Sequence, residues 1–234
     1  MIPARRAFSI YGVSPSQIET ASACLPNGLT RNDMQVRRVR DGSSVTVSSE
    51  EVAPDTAGLV LEWLTATFGA QRVAIGNVRL AELVVNELRT RGLVIAAAES
   101  CTGGMFGERI TSVAGSSSVF WGSVVSYADE AKRVVLGVSE DTLTRFGAVS
   151  EAVVSEMAGG VRKLSGAHMS VAVSGIAGPG GGTQEKPVGT VWIACEDRGE
   201  VVTRRFHFAG GRARIRRDAV AESLLLIRSR LHPG

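Results

Sequence analysis

The sequence predicts an α/β protein: a three-layer α/β/α sandwich with a mixed sheet, preceded by a small α+β domain. From about residue 72, short continuous apolar segments alternate with amphipathic segments of helical periodicity, as in strands buried between two layers of helices. The last two strand-like segments follow one another closely, which indicates a hairpin and therefore a mixed sheet. We accordingly expect a small domain at residues 1–71 and a larger one at residues 72–234.

The small domain is predicted as a β-α-β-β-α unit. A helix is expected where Ser14 or Ser16 can cap it, and an Asp-Gly pair at 41–42 between alternating residues is typical of a β-hairpin. The predicted elements are a strand in 6–13, a helix in 14–25, a hairpin in 34–49 and a helix in 55–69.

The larger domain is predicted from its alternation of apolar runs and helical patterns. Gly92 lies where a helix C-terminus favours glycine. The predicted elements are helix 78–92, strand 93–99, helix 103–113, strand 120–127, helix 129–137, helix 150–166, strand 168–175, a hairpin of 187–197 with 200–210, and helix 212–231.

Composition limits the function classes only loosely. The net charge of +3 permits a small anionic ligand without requiring nucleic acid. No apolar run is long enough for a membrane span, and the first residues lack a secretory signal, so we expect a cytoplasmic protein without membrane association. Cys24, Cys101 and Cys195 are scattered and fit neither a disulfide framework nor a zinc site, so we expect no metal.

Ligands of such sheets bind beyond the carboxyl ends of the strands. Three polar or glycine-rich segments follow predicted strands: ESCTGG (99–104), YADEAK (127–132) and SGIAGPGGG (174–182). A fourth candidate, AGSSS (114–118), precedes a strand.

Lys132 is one of only three lysines among 26 basic residues. If Asp129 caps the following helix, Lys132 lies in its first turn, where the helix dipole disfavours a cation. A lysine, unlike an arginine, can release its proton, so Lys132 is a candidate general base. The alternative is a surface lysine that pairs with Glu130 or another carboxylate. Tyr127 can approach Lys132 only if Tyr127 ends the strand and Lys132 begins the helix; the alternative for Tyr127 is a core tyrosine at the end of the strand.

A lysine base requires a hydroxyl nucleophile, and the candidate segments supply several serines: Ser100, Ser116, Ser117, Ser118 and Ser174. Cys101 is a rival nucleophile, although no histidine is clearly placed to pair with it. The glycine-rich segment could bind an anion but lacks the features of a phosphate-binding loop or a dinucleotide fingerprint. Arginines at 212, 214, 216 and 217 open the last helix and could bind a phosphate.

Five segments, taken together, resemble a known family: AAAESCTGG, AGSSS, VVSYADEAKRVVLGV, GAVSEAVVSEMA and SVAVSGIAGPGGGTQEKPVGTVW. In this order they resemble the conserved blocks of the CinA C-terminal domain, a family of nicotinamide mononucleotide (NMN) deamidases, over residues 76–231. Residues 1–71 resemble the KH-like middle domain of full-length CinA proteins, through YGVSPSQIE and the order of elements.

The resemblance implies an α/β/α fold, a homodimer, and hydrolysis of the NMN carboxamide to nicotinate mononucleotide and ammonia without metal or cofactor. It implies that Ser117 is the nucleophile, that Lys132 is its base and that Tyr127 assists proton transfer or orientation. The residues that it implies for substrate binding are Ser100, Thr102, Ser174, Gly175 and, for the phosphate, Arg212. This chain has Ala128, Asp129 and Ser174 where the family commonly has Ser, Asn and Thr, and Gly-Gly-Arg replaces Gly-Asp-Arg before the last helix.

A different class of function is a non-catalytic or regulatory CinA-like protein associated with competence, DNA damage or nucleic acid. The KH-like unit and the basic segment VRRVR (36–40) motivate it. KH modules bind nucleic acid through a GXXG loop, which residues 1–71 lack. We therefore expect a structural or dimerisation role for the small domain and a small-molecule substrate rather than nucleic acid.

Overall fold

The computed structural model describes residues 6–39, 42–47 and 56–232. The chain forms two compact units, Met1–Leu83 and Val84–Gly234. Among the described residues, no helix is long and apolar enough to cross a membrane.

The first unit contains a four-stranded antiparallel sheet and two α-helices. Its elements are β1 (Arg6–Tyr11), α1 (Pro15–Ala21), β2 (Gln35–Val39), β3 (Gly42–Val47), α2 (Thr56–Phe68) and β4 (Val73–Ile75). The strand order is β2-β3-β1-β4. Ser14 caps α1 as expected: its hydroxyl accepts the backbone N–H of Gln17, and its own backbone N–H donates to Gln17 Oε1, which forms a capping box. The predicted β-α-β-β-α order is confirmed, β4 is additional, and the first residue of the Asp-Gly pair lies outside the described residues.

The core of the first unit lies between its sheet and its helices. Phe8, Ile10 and Val45 from the strands pack with Trp63 and Leu64 of α2, and all five side chains are buried. The apolar residues of α2 therefore occur at helical spacing because one face of this helix covers the sheet.

The second unit contains a five-stranded sheet and most of the helices. Its elements, with one helix that begins in the first unit, are α3 (Leu80–Arg91), β5 (Ile95–Glu99), α4 (Met105–Thr111), β6 (Phe120–Val125), α5 (Asp129–Leu136), α6 (Glu140–Phe146), α7 (Glu151–Ser165), β7 (Met169–Gly175), β8 (Thr190–Asp197), β9 (Glu200–His207) and α8 (Arg212–Leu231). The helix α6, which has seven residues and is capped by Ser139, is not predicted by the sequence pattern.

The strand order of this sheet is β6-β5-β7-β8-β9. Strands β6, β5 and β7 are parallel, whereas β8 and β9 pair antiparallel with their neighbours. The prediction of a mixed sheet with a late hairpin is confirmed. The carboxyl ends of the three parallel strands consequently lie at the same edge of the sheet.

Helices cover both faces of the sheet. On one face, the small side chains of Ala96, Ala98, Ala172 and Ala194 pack against α5 and α7. Alternate residues of the same strands point to the opposite face, where α4 and α8 lie. The three-layer α/β/α sandwich predicted from the sequence is confirmed.

Gly160 allows α7 to pack closely against the end of α5. A Cβ atom at this position would overlap the backbone carbonyl of Leu136, which cannot move away as a flexible side chain could. The neighbouring Gly159 has more space: a Cβ there would meet only the end of the Glu196 side chain, at 3.4 Å.

We therefore expect opposite effects from two glycine-to-alanine substitutions in the same helix. Gly160→Ala should lower the free energy of unfolding by about 1–3 kcal/mol, because overpacking forces the two helices apart. Gly159→Ala should leave it unchanged or raise it by up to about 1 kcal/mol, through helix propensity. Urea denaturation monitored by circular dichroism measures both, and equal effects would contradict the close approach.

Candidate active site

The carboxyl ends of β5, β6 and β7 bring several predicted site residues together. Ser100 follows β5 and donates its backbone N–H to Val173 of β7 at 2.9 Å. Ser126 follows β6 and donates its backbone N–H to the carbonyl of Glu99 at 2.8 Å. Ser174, on β7, is therefore next to Ser100 across the sheet. This is the edge at which the sequence predicts a ligand.

Lys132 lies inside the protein at this edge, with a relative exposure of 1%. Its Nζ donates to the backbone carbonyl of Tyr127 at 3.2 Å and to Asp129 Oδ1 at 3.1 Å. The alternative of a surface lysine is therefore wrong, although Lys132 does pair with a carboxylate, that of Asp129. Asp129 is the first residue of α5 rather than its cap, since the N-cap is Ala128 without a side-chain bond. Its carboxylate is available to Lys132 for that reason.

Tyr127 and Arg212 contact each other directly. Arg212 Nη2 donates to Tyr127 Oη at 3.0 Å, and Arg212 Nη1 donates to the carbonyl of Gly178 at 3.0 Å. Tyr127 is 58% exposed, so it is not a core residue. The first turn of α8, the segment after β6 and the glycine-rich segment after β7 thus meet at the same place.

Thr102 and Arg216 form a second contact between this edge and α8. Arg216 Nη2 donates to the Thr102 carbonyl at 2.6 Å, and the Thr102 side chain is fully buried. Within the described ranges, Thr102 Oγ1, Ser126 Oγ and Arg216 Nε are buried without a hydrogen-bond partner in the protein. Buried polar groups are normally satisfied, so these atoms indicate a place where water or a polar ligand completes the bonding.

Ser174 and Gly175 hold the neighbouring segments in place. The Ser174 hydroxyl donates to the Ala148 carbonyl at 2.7 Å, which ties β7 to the segment before α7. A Cβ atom on Gly175 would lie 2.6 Å from the Val191 side chain and 2.9 Å from the Thr190 carbonyl, so only glycine allows this approach. Both contacts shape the edge of the site.

Glu99 belongs to this region, although its residue type and position did not predict a site residue. Its carboxylate is fully buried and accepts four hydrogen bonds. The donors are Gly104 N at 2.9 Å, Phe106 N at 3.0 Å, Gly107 N at 2.9 Å and Ser123 Oγ at 2.7 Å. The signal in the sequence was a single charged residue at the end of an otherwise apolar strand.

Two consecutive glycines make the Glu99 contacts possible. Gly103 and Gly104 both have positive φ angles, of 56° and 90°, which side chains disfavour. They turn the chain so that the first N–H groups of α4 point back to the carboxylate, which also interacts favourably with the helix dipole. The Gly-Gly pair of ESCTGG is thus required by backbone geometry.

Ser117 lies apart from the other predicted site residues. It is exposed and belongs to a short 3-10 turn, Ser116–Ser118, that precedes β6, whereas Tyr127 and Lys132 follow β6. Ile95 pairs with Phe120 and Glu99 pairs with Val125, so the two ends of β6 are separated by four residue steps of β5, or ~13 Å. Ser117 lines one end of a groove of about 460 Å³ along β6, with Gly104 and Val125 at the other end.

Cys101 is not a suitable nucleophile in this environment. Its side chain is buried, and burial raises the pKa of the Cys101 thiol to about 12, although Arg216 and Arg212 act in the opposite direction. The thiolate is therefore a negligible species near neutral pH. In the part of the chain that the structure describes, no three His, Cys, Asp or Glu side chains form a potential metal site.

Comparison with known proteins identifies related chains. The model of the CinA C-terminal domain matches residues 77–231. The nicotinamide-nucleotide amidohydrolase PncC of Escherichia coli K12 is 51% identical over 147 residues, which cover 62% of this chain and 89% of PncC. A CinA-like protein of Syntrophomonas wolfei is 39% identical over 239 residues, which cover 98% of this chain and 56% of that protein.

A solved structure shows the same fold over most of the second unit. The competence/damage inducible protein CihA of Agrobacterium tumefaciens has 44% identity and a TM-score of 0.62, covering 63% of this chain and 90% of that chain. This chain spans about half the length of the CinA-like proteins of S. wolfei and Kosmotoga olearia, with 56% and 45% of their residues covered.

The burial of two cysteines predicts the reactivity of the thiols. Burial also raises the pKa of Cys195 to about 12, whereas Cys24 is exposed. Near neutral pH, a thiol reagent such as Ellman's reagent should modify one cysteine in the folded protein and all three after unfolding in denaturant. Rapid modification of Cys101 in the folded protein would contradict its burial.

The same pKa values predict the sign of a stability change at high pH. Each buried thiol titrates at a higher pH in the folded protein than its ordinary value of 9.0. The buried thiol contributes fully to stability below about pH 9, its ordinary pKa. This contribution is lost as the pH rises towards about 12. Cys101→Ser measured in the same alkaline titration should lose less stability over this range.

Proposed function

We propose that this chain, which belongs to the CinA C-terminal domain family, is a nicotinamide-nucleotide amidohydrolase. It hydrolyses the carboxamide of NMN to nicotinate mononucleotide and ammonia. The observation that carries the proposal is the 51% identity to the amidohydrolase PncC over an alignment that covers 89% of PncC. The cluster of buried, partly unsatisfied polar groups at the carboxyl ends of the parallel strands supports a ligand site of this kind.

In the proposed mechanism, the hydroxyl of Ser117 attacks the carboxamide carbon. An amide resists hydrolysis, and a covalent acyl-enzyme divides the reaction into two easier steps. The serine proton passes to a base and then to the leaving nitrogen, which departs as ammonia. Water then hydrolyses the ester, which releases nicotinate mononucleotide and restores the serine.

Lys132 is proposed as the base because its amine is buried at the ligand edge. Nζ donates to the Tyr127 carbonyl and to Asp129 Oδ1. The Asp129 carboxylate at 3.1 Å favours the ammonium form, so Nζ must release a proton before its lone pair can accept the proton of a hydroxyl. An arginine has no such lone pair and stays protonated, so the neighbouring Arg133 cannot take this role.

The phosphate of the substrate is assigned to the first turn of α8. Arg212 uses two of its five N–H donors, one for Tyr127 and one for Gly178, and its side chain is exposed. The remaining donors suit a phosphate, which guanidinium groups bind in a planar, bidentate manner. Thr102 and Ser100 line the same edge and are proposed to contact the substrate together with Ser174 and Gly175.

The first unit is proposed to have a structural role. Its core is formed by its own sheet and helices. We propose neither nucleic-acid binding nor an additional activity for it.

The function is tested with purified protein and NMN. Formation of nicotinate mononucleotide and an equal amount of ammonia is expected, and both can be measured by chromatography and a coupled ammonia assay. Nicotinamide riboside, which lacks the phosphate, should react with a lower kcat/KM. Absence of both products from NMN would exclude the proposed activity.

Substitutions of Lys132 test its role as the base. Lys132→Met keeps a long buried side chain but cannot accept a proton, so kcat should fall by ~100-fold or more. Lys132→Arg introduces a group that stays protonated and cannot accept the serine proton, so kcat should fall similarly. The exposed Lys163 of α7 provides the control, and Lys163→Met should keep full activity. Activity that survives in Lys132→Arg alone would assign Lys132 to charge stabilisation instead.

A further inference from the structure

The amine of Lys132 is held by two acceptors of different kinds. Nζ donates to the backbone carbonyl of Tyr127 at 3.2 Å and to the Asp129 carboxylate at 3.1 Å. An ammonium group has three N–H donors, so these two contacts, made within the described part of the chain, fix the direction of the third. The carbonyl belongs to the backbone before α5, whereas the carboxylate is a side chain of the helix itself. Asp129 is therefore the acceptor that a substitution can change.

Opposite influences act on the charge of this amine. The relative exposure of Lys132 is 1%, and burial disfavours an ammonium ion. Lys132 also lies in the first turn of α5, where the positive end of the helix dipole disfavours a cation. The Asp129 carboxylate acts in the other direction, because an opposite charge this close favours the charged form. The same helix end favours a negative charge on Asp129, whose side chain is 60% exposed to water.

The other charged or titratable side chains at the strand ends and on the first turns of α8 are bonded elsewhere or uncharged: Tyr127, Arg212, Arg216, Glu99 and Cys101. Tyr127 Oη accepts from Arg212, and Arg216 donates to the Thr102 carbonyl. The Glu99 carboxylate accepts four hydrogen bonds. The Cys101 thiol is uncharged near neutral pH, because burial raises its pKa to about 12. None of these bonds involves Lys132 Nζ.

The charged side chains on the helices at this face are likewise placed away from the amine: Glu130, Arg133, Glu151 and Glu156. The first two are exposed on α5. The two carboxylates of α7 accept hydrogen bonds from Thr203 of β9 and from the start of α6. Among the described residues, Asp129 is thus the charged side chain that contacts Lys132 Nζ.

We propose that Asp129 is a positioning residue that holds the Lys132 amine and, by favouring its ammonium form, sets the pH above which the reaction is fast. This inference rests on the proposed function for its chemistry. The ammonium first loses one proton to water. The lone pair then accepts the proton of the nucleophilic hydroxyl as its oxygen bonds to the carboxamide carbon, and the amine returns this proton to the nitrogen as the carbon–nitrogen bond breaks.

The substitution Asp129→Asn separates the charge of this side chain from its geometry. The amide keeps an oxygen that can accept from Nζ, but it carries no charge and does not favour the ammonium form. The midpoint of the rise of kcat/KM with pH should therefore move to lower pH by up to about 1 unit. Below the wild-type midpoint, activity at a given pH should rise by up to ~10-fold. The plateau at high pH should fall by about 3-fold or less, because a weaker base accepts a proton less readily.

Two further variants distinguish this effect from a merely structural one. Asp129→Ala should move the midpoint as Asp129→Asn does, but with a lower kcat on the plateau, because the amine is then held by one acceptor only. Glu130→Gln removes a carboxylate of the same helical turn that does not contact Nζ, so its midpoint should stay close to that of the wild type. Circular dichroism at each pH verifies that the variants are folded. A uniform loss of activity in Asp129→Asn, with the midpoint unmoved, would overturn the proposal.

The charge of Lys132 can also be followed without substrate, because the chain contains only three lysines: Lys132, Lys163 and Lys186. Lysine labelled with carbon-13 at Cε gives one NMR signal for each, and the signal missing from Lys132→Met is that of Lys132. Its titration midpoint should be lower in Asp129→Asn, while the other two signals keep theirs. An unchanged midpoint would refute the proposal whether or not the protein converts NMN. A lowered midpoint in a protein that forms no product would support the influence of Asp129 on Lys132 and exclude the proposed function.

Discussion

The organisation of the ligand edge depends on one buried carboxylate. Glu99 ends β5 and accepts hydrogen bonds from three backbone N–H groups around the start of α4 and from Ser123 of β6. One side chain thus holds a strand, a helix and the edge strand at fixed positions. An unpaired carboxylate in this interior would cost several kcal/mol, so the arrangement is stable only with its donors in place. The left-handed turn at Gly103 and Gly104 supplies that geometry.

The other buried polar side chains of the site lie at the same edge of the sheet as Glu99. Lys132, Thr102, Ser126 and Ser174 are all buried where the parallel strands end. Some of their polar atoms bond to backbone carbonyls, while Thr102 Oγ1 and Ser126 Oγ are without a protein partner among the described residues. The site therefore combines rigid positioning with unused hydrogen-bonding capacity. Both properties are needed for a site that binds a polar substrate and stabilises charge as it develops.

Much of the fold could be predicted because burial leaves a periodic signal. The all-apolar strand at Ile95–Glu99, the long closing helix and the final hairpin were each recognisable from pattern. The short elements β4 and α6 were not, since three and seven residues are too few for a periodic pattern. Asp129 resembled a helix cap by residue type, yet Ala128 occupies that position. Residue type alone does not determine where a helix begins within one residue.

The sequence by itself determined the class of fold, the family and the set of chemically competent side chains, because these follow from local pattern and residue identity. Only the tertiary structure decided which of those side chains meet. Tyr127 and Arg212 are far apart in the chain but in contact, since the strand ends and the last helix converge. Ser117 and Lys132 are close in the chain but separated, since a whole strand lies between them. Proximity in space depends on strand direction and sheet order, which are properties of long-range pairing rather than of sequence distance.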